Sequence, residues 1–180
     1  QVPYMMEYLI RDNGTIIVTG SIDLTGTKLP ELPRFGMRME LHQPYENLTY
    51  YGRGPLENYI DRYSSSFIGR YENKVENQFY WYIRPQETGN KTDVRWLALL
   101  NSEGEGVKIT GLQPIAFSAL HFSPEDLDPG LTRKLQHTID IVPQKNIFLH
   151  VDLRQRGLGG DNSWGMYPHN EYRLLDKKYT

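Results

Sequence analysis

Short runs rich in β-branched and aromatic residues recur along the whole chain, each closed by turn formers after about ten residues. That rhythm constrains the fold more than any other feature. It leaves room for strands and little room for the longer 3.6-residue patterns that helices require. In MEYLIRDNGTIIVTGSIDL, residues 6–24, an Asp-Asn-Gly turn at 12–14 separates two β-rich runs, which predicts a hairpin. RFGMRMELHQ (34–43) alternates and gives a third strand, and LTYYGRG (48–54) a short fourth that runs into a tight loop at Gly52, Gly54 and Pro55. VENQFYWYIRP (75–85) reads as an aromatic strand, with Phe79, Trp81 and Ile83 on one face and Tyr80 and Tyr82 on the other. In TDVRWLALLN (92–101), Val94, Trp96 and Ala98 alternate against Arg95, Leu97 and Leu99. GEGVKITGL (104–112) and PIAFSALHF (114–122) add two strands, and HTIDIVP (137–143) pairs with IFLHVDLR (147–154) through the turn QKN. One helix start stands out in FSPEDLD (122–128). Ser123 suits the N-cap, Pro124 the first helical position, and Glu125 and Asp126 the helix dipole, with DPG ending the helix within about two turns. The expectation is an all-β sandwich or barrel with at most one short helix, in a single domain over residues 1–180.

Composition removes several function classes. The net charge is −2, from 20 basic and 22 acidic residues scattered without a basic run, which argues against nucleic-acid binding. Cysteine is absent, so disulfides, thiolate catalysis and Cys-type zinc sites are excluded. No apolar stretch reaches the length of a membrane span. The opening QVPYMMEYLI lacks a basic region and a cleavage site, so it is not a signal peptide; without an initiator Met it reads as a fragment or processed chain. The tripeptides at Asn13, Asn47 and Asn90 that fit a glycosylation acceptor are read as chance matches in polar turns.

Four stretches invite a chemical reading. In YYGRGPLENYIDRYSSSFIGRY (50–71), Glu57 and Asp61 are four residues apart and would share one face of a helical turn. A carboxylate pair suits glycoside hydrolysis. Arg53 and Arg62 nearby favour instead a loop whose charges satisfy one another, because catalytic carboxylates usually come from separate elements. The histidines at 42, 121, 137, 150 and 169 show no metal-binding spacing. His121 or His150 with Glu57 would give the acid–base pair that a sugar mutarotase uses, although nothing in the sequence brings them together. In RPQETGNKTDVRW (84–96), Gln86, Glu87 and Asn90 are placed either to bond sugar hydroxyls or to cap a hairpin loop. GLGGDNSWG (157–165) is the most unusual stretch, because four glycines surround one of only 3 Trp residues. Asp161, Asn162 and Ser163 are turn formers, so this is an ordered loop presenting Trp164. The indole either stacks on the apolar face of a sugar or folds back to plug the sandwich.

Taken together, LPRFGMRMEL, YYGRGPLENYIDR, PQETGNKTDVRW and GLGGDNSW occur in an order and at a spacing that resemble the C-terminal domain of bacterial β-galactosidases of glycoside hydrolase family 2. The resemblance runs from about residue 7 to the end. It implies a mostly antiparallel β-supersandwich of the galactose mutarotase type, of which this chain is the later two thirds. It implies no catalytic residue in this chain, because both catalytic glutamates of the family lie in a TIM barrel elsewhere in the enzyme. Mg²⁺ and Na⁺ likewise belong outside this segment, which needs no cofactor of its own.

Trp164 matches the tryptophan that stacks on the aglycone sugar at the family's active-site mouth. Asp161, Asn162 and Ser163 match the loop that holds it. The implied partners are a β-galactoside, through its aglycone side, and the TIM barrel of the same polypeptide. A homo-oligomer and a bacterial cytoplasmic or periplasmic location are also implied, with no nucleic acid and no membrane. Missing strands would leave open sheet edges. The competing readings are a non-catalytic carbohydrate-binding module, an aldose mutarotase or epimerase, and a purely structural domain with Trp164 in its core.

Overall fold

The computed structural model describes residues 2–180, with the backbone alone at 132–134. Its strands are β1 (Tyr4–Ile10), β2 (Ile16–Asp23), β3 (Arg34–Leu41), β4 (Asn47–Gly54), β5 (Phe67–Lys74), β6 (Lys91–Leu100), β7 (Gly106–Leu120), β8 (Ile147–Gln155) and β9 (Lys178–Tyr179). Among the described residues the only α-helix is α1, Pro124–Leu127. All pairings are antiparallel. One sheet has three strands in the order β1-β2-β9, and the other has six in the order β3-β8-β7-β6-β4-β5. The fold is all-β, and among the described residues no helix is long and apolar enough to cross a membrane.

The alternation of the sequence becomes the two faces of the larger sheet. Leu48 and Tyr50 of β4, Leu97 and Leu99 of β6, Phe117 and Ala119 of β7, and Ile147 and Leu149 of β8 point to one side and form the main core. Phe117 is fully buried, and burying a side chain of that size stabilises by about 1.5–3 kcal/mol. The small sheet joins through a second cluster, where Leu24, Leu174 and Tyr179 pack with Phe35 of β3 and Leu153 of β8.

The predicted hairpin forms with Gly14 at φ +80°, and the Asn13 side chain accepts the Thr15 N–H at 3.0 Å. The predicted helix start also forms. Ser123 Oγ accepts the Asp126 N–H at 3.1 Å, and the Asp126 carboxylate accepts the Ser123 N–H at 2.7 Å.

Five expectations are corrected. Residues 78–85 form no strand: Tyr82 N–H donates to the Tyr80 carbonyl at 3.0 Å, and a side chain rather than a sheet neighbour meets two of the carbonyls. Thr138 Oγ1 lies 2.7 Å from the carbonyl oxygen of Tyr82 and 2.9 Å from that of Ile83. Phe79 and Trp81 cluster on Phe122, with centroids 4.4 and 5.7 Å from its ring, and Ile83 faces solvent. Residues 138–140 form a 3-10 turn, not a strand, because the Asp140 carboxylate accepts the His137 N–H at 2.7 Å; β8 pairs instead with β3 and β7. The two strands expected at 104–122 are one, β7, from which Leu112 bulges out fully exposed.

Gly52 and Gly54 lie within β4, not in a loop, because that strand continues into its pairing with the unforeseen β5. A Cβ on Gly52 would lie 2.6 Å from Val94 Cγ2, so the close approach of β6 requires glycine there. Finally, Val94 shares its face with Leu97 and Leu99, not with Trp96. Register shifts on either side of Val94, with Asp93 at φ +52°, change the alternation at that point.

Candidate functional site

The glycine-rich segment 157–165 leaves the end of β8 as an irregular loop, and Trp164 at its tip is 90% exposed. The indole therefore does not plug the core of this chain. The base of the loop is fixed. Gly157 N–H donates to the Tyr172 carbonyl at 2.8 Å, and Gly159 N–H donates to Asp61 Oδ2 at 2.7 Å. A Cβ on Gly157 would meet Asp61 Cγ at 2.8 Å and Tyr172 Cβ at 2.9 Å, so the close approach to both residues requires glycine.

The tip is organised by its own polar residues. Asn162 Oδ1 accepts the Trp164 N–H at 2.8 Å, the Asx turn that the sequence calls for. Asp161 Oδ1 lies 2.7 Å from His169 Nε2, and this hydrogen bond and charge raise the His169 pKa above its usual value. Ser163 stands exposed beside them. On the return path, Arg156 and Arg173 hold Glu31 at 3.0 and 2.6 Å, and their guanidinium groups lie over the Tyr167 ring at 5.6 and 4.8 Å. These three residues brace the loop and carry no motif of their own; only their partners identify them.

The structure brings the two remaining motifs together. Glu57 accepts the Thr88 hydroxyl at 2.6 Å and the Gly89 N–H at 2.8 Å, pairs with Arg62 at 2.8 Å and is bonded by the Tyr82 hydroxyl. Burial opposes ionisation of Glu57, but these donors outweigh it and hold the carboxyl below the usual glutamate range. Asn58 is fully buried; its Oδ1 accepts the Thr92 N–H at 2.9 Å, and its Nδ2 donates to the Arg53 and Leu56 carbonyls at 3.2 and 3.0 Å. Residues 55–66 contain no helix, so the spacing of Glu57 and Asp61 does not place them on one helical face. Glu57 ties this loop to 88–89 and Asp61 ties it to 159. The reading as a charge-satisfied loop is the one the geometry supports, and a carboxylate so fully bonded is poorly placed for acid–base work.

The histidines disperse. His121 lies 3.1 Å from Glu46 Oε2 and 3.1 Å from the Asn146 carbonyl oxygen, far in sequence from Glu57. His150 lines a cavity together with Glu87, again not with Glu57. Among the described residues no three His, Asp or Glu side chains gather closely enough to hold a metal ion, so the donor set here does not fit one.

Comparison with known proteins gives a consistent result. The family described as beta galactosidase small chain matches residues 1–180. A β-galactosidase of Priestia megaterium is 35% identical over 174 residues, which are 96% of this chain and 16% of that protein. One of Halalkalibacterium halodurans is 31% identical over 177 residues, 97% of this chain and 17% of that protein. One of Streptococcus thermophilus is 33% identical over 175 residues, 97% of this chain and 16% of that protein. The chain thus spans about one sixth of the length of the relatives it matches.

Proposed function

Because this chain belongs to the beta galactosidase small chain family, we propose that it is part of the C-terminal domain of a glycoside hydrolase family 2 β-galactosidase. That enzyme hydrolyses terminal non-reducing β-D-galactose residues. Residues 1–180 are one structural unit, the later two thirds of that domain, of mutarotase-like type. The two catalytic glutamates lie in a TIM barrel outside this chain, together with the enzyme's Mg²⁺ and Na⁺. The contribution of this chain is the Trp164 loop, offered to the aglycone side of the active site.

The observation that carries this reading is a large aromatic ring left exposed on a loop whose base is fixed by Asp61, Tyr172 and the Glu31–Arg173 pair. An exposed indole costs solvation unless something covers it, and a sugar's apolar face is suited to do so. Asp161 and Asn162 already commit one oxygen each to His169 and to the Trp164 N–H, so they shape the tip, while Ser163 and the Asn162 amide remain to meet hydroxyls. The exposed apolar residues Tyr8, Leu9, Ile10 and Ile16 of the first hairpin support a further contact with the barrel or with a second subunit.

A stacking platform on the leaving-group side binds aglycones and acceptors and does no bond-breaking. Losing it removes about 1–3 kcal/mol from substrates that fill the subsite, a tenfold to hundredfold effect. The test is Trp164→Ala in the full-length enzyme, comparing kcat/KM for lactose and for an aryl β-galactoside, with the melting temperature as control. A selective loss on one substrate at unchanged stability is the expected outcome. Unchanged kinetics with a lower melting temperature would make Trp164 a structural residue and overturn the proposal.

A further inference from the structure

The larger sheet has a second face, polar in part, that is largely buried on β7 and β8 and open on β3. Across β7, β8 and β3 the register pairs Ser118 with His150 and His150 with Arg38. One pleat step along, Asp152 pairs with Ala116 and Gly36, and one step the other way Phe148 pairs with Leu120 and Glu40. These residues alternate with the core residues Leu149, Val151, Phe117 and Ala119, so they point away from the main core. Over them lies a cavity of about 270 Å³, floored by Ser118, His150 and Phe148 and walled by Phe122, Arg34 and Glu87.

Its electrostatics are balanced. A bulge between Phe35 and Gly36 lets Arg34 bond Asp152 through Nε at 3.1 Å and Nη2 at 2.5 Å, while Nη1 reaches Glu87 at 3.0 Å. Arg38 is matched by Glu125 at 2.9 Å. Burial, with Arg34 and Arg38 nearby, pushes His150 down to about 4, so its ring is neutral near pH 7. Arg34 and Arg38 are thus each matched by carboxylates, and neither is left as an unpaired cation for an anionic ligand.

The hydrogen-bonding capacity, in contrast, is not used up. Ser118 is 1% exposed and His150 is half-buried, and among the described residues no hydrogen bond within the protein engages the Ser118 hydroxyl or either ring nitrogen of His150. Both groups line the cavity and keep their hydrogen-bonding capacity for whatever enters it. At about 270 Å³ the cavity lies just below the usual range for drug-sized ligands. Its lining joins two phenylalanine rings to the Ser118 hydroxyl, the His150 ring, the Gln86 amide and the Glu87 and Asp128 carboxylates.

We infer that this cavity binds a neutral, polyhydroxylated ring of monosaccharide size. The apolar face of the ring lies toward Phe122 and Phe148, and its hydroxyls bond Ser118, His150 and Glu87. No residue of the 157–169 loop lines the cavity, so this site and its test are independent of the role proposed for Trp164.

The experiment is protection of His150 from diethyl pyrocarbonate, which acylates neutral imidazole, in the full-length protein. Modification is read by peptide mass spectrometry, with the exposed His42 and His137 as references and D-galactose as probe. Saturating galactose is expected to slow modification of His150 at least fivefold and to leave the references unchanged, while mannitol, an acyclic polyol, gives no protection. Ser118→Ala removes a hydroxyl that has no internal partner and leaves the fold intact. Glu87→Gln changes a rim residue. Each is expected to raise the half-protecting galactose concentration at least fivefold, with protection read against that variant's own rate of modification without galactose. Equal rates with and without galactose, equal protection by mannitol, indifference to both substitutions or a His150 that does not react would each overturn the inference.

Discussion

Asp61→Ala tests whether the Trp164 loop is held from its base. Asp61 Oδ2 accepts the Gly159 N–H at 2.7 Å, and its Cγ packs where a Cβ on Gly157 would fall, at 2.8 Å. A hydrogen bond to a charged acceptor contributes about 1.5–3 kcal/mol. This one lies at the surface, where solvent screens it, which brings the figure down to about 1–2 kcal/mol. The substitution leaves the Gly159 N–H without its acceptor and also removes Asp61 Oδ1, a buried oxygen with no partner among the described residues. At about 1.4 kcal/mol per factor of ten, the loop should open some 5- to 30-fold more often. Amide hydrogen exchange in the full-length protein reads this directly. Peptides covering 157–165 should exchange faster by that factor, while those covering β7 and β8 do not change.

Function offers a second readout, because Asp61 acts only through the loop. On the proposed function, kcat/KM for lactose should fall no further than in Trp164→Ala. The double variant should match Trp164→Ala alone, since coupled residues are not additive. Exchange of 157–165 within twofold of the unaltered protein would refute the reasoning. A double variant whose loss equals the product of the two single losses would refute the functional half.

Two further outcomes follow from the loop framework. Asn58→Ala removes four hydrogen bonds from a fully buried side chain, leaving the Thr92 N–H and two carbonyls without partners, and should cost about 3–5 kcal/mol; exchange of the Thr92 amide should accelerate by at least a hundredfold, and a change under fivefold would contradict that. Glu57 is held below its ordinary value of 4.5, so its contribution is complete above that pH and is lost as pH falls through the lowered folded value. The protection factor of the Gly89 amide should therefore decline below about pH 4.5, and Glu57→Gln should remove that pH dependence; a decline that persists in the variant would assign it to another group.

Much of the fold was legible along the chain. The hairpin at 4–23 needed only an Asn-Gly turn between β-rich runs, and α1 needed only Ser123, Pro124 and Asp126, because both are local structures closed by their own residues. The loop at 157–165 was legible for the same reason, its Asx turn lying within three residues.

What the chain did not disclose depends on partners far away in sequence. The aromatic run at 78–85 has strand propensity, yet its backbone bonds to Thr138 and its rings pack on Phe122, and propensity yields to such contacts. The sequence favoured a charge-paired loop for Glu57 but could not name the partners Tyr82, Thr88 and Gly89, which come from 25 to 32 positions away. The face on which Val94 lies, and the meeting of Arg34 with Asp152, were decided by bulges. A one-residue shift of register exchanges the two faces of a strand, and nothing in a strand's own alternation records where its neighbour will slip. Local hydrogen bonding thus wrote the hairpin, the helix cap and the tryptophan loop into the sequence, and only the packed sheet set Ser118, His150 and Arg34 around one cavity.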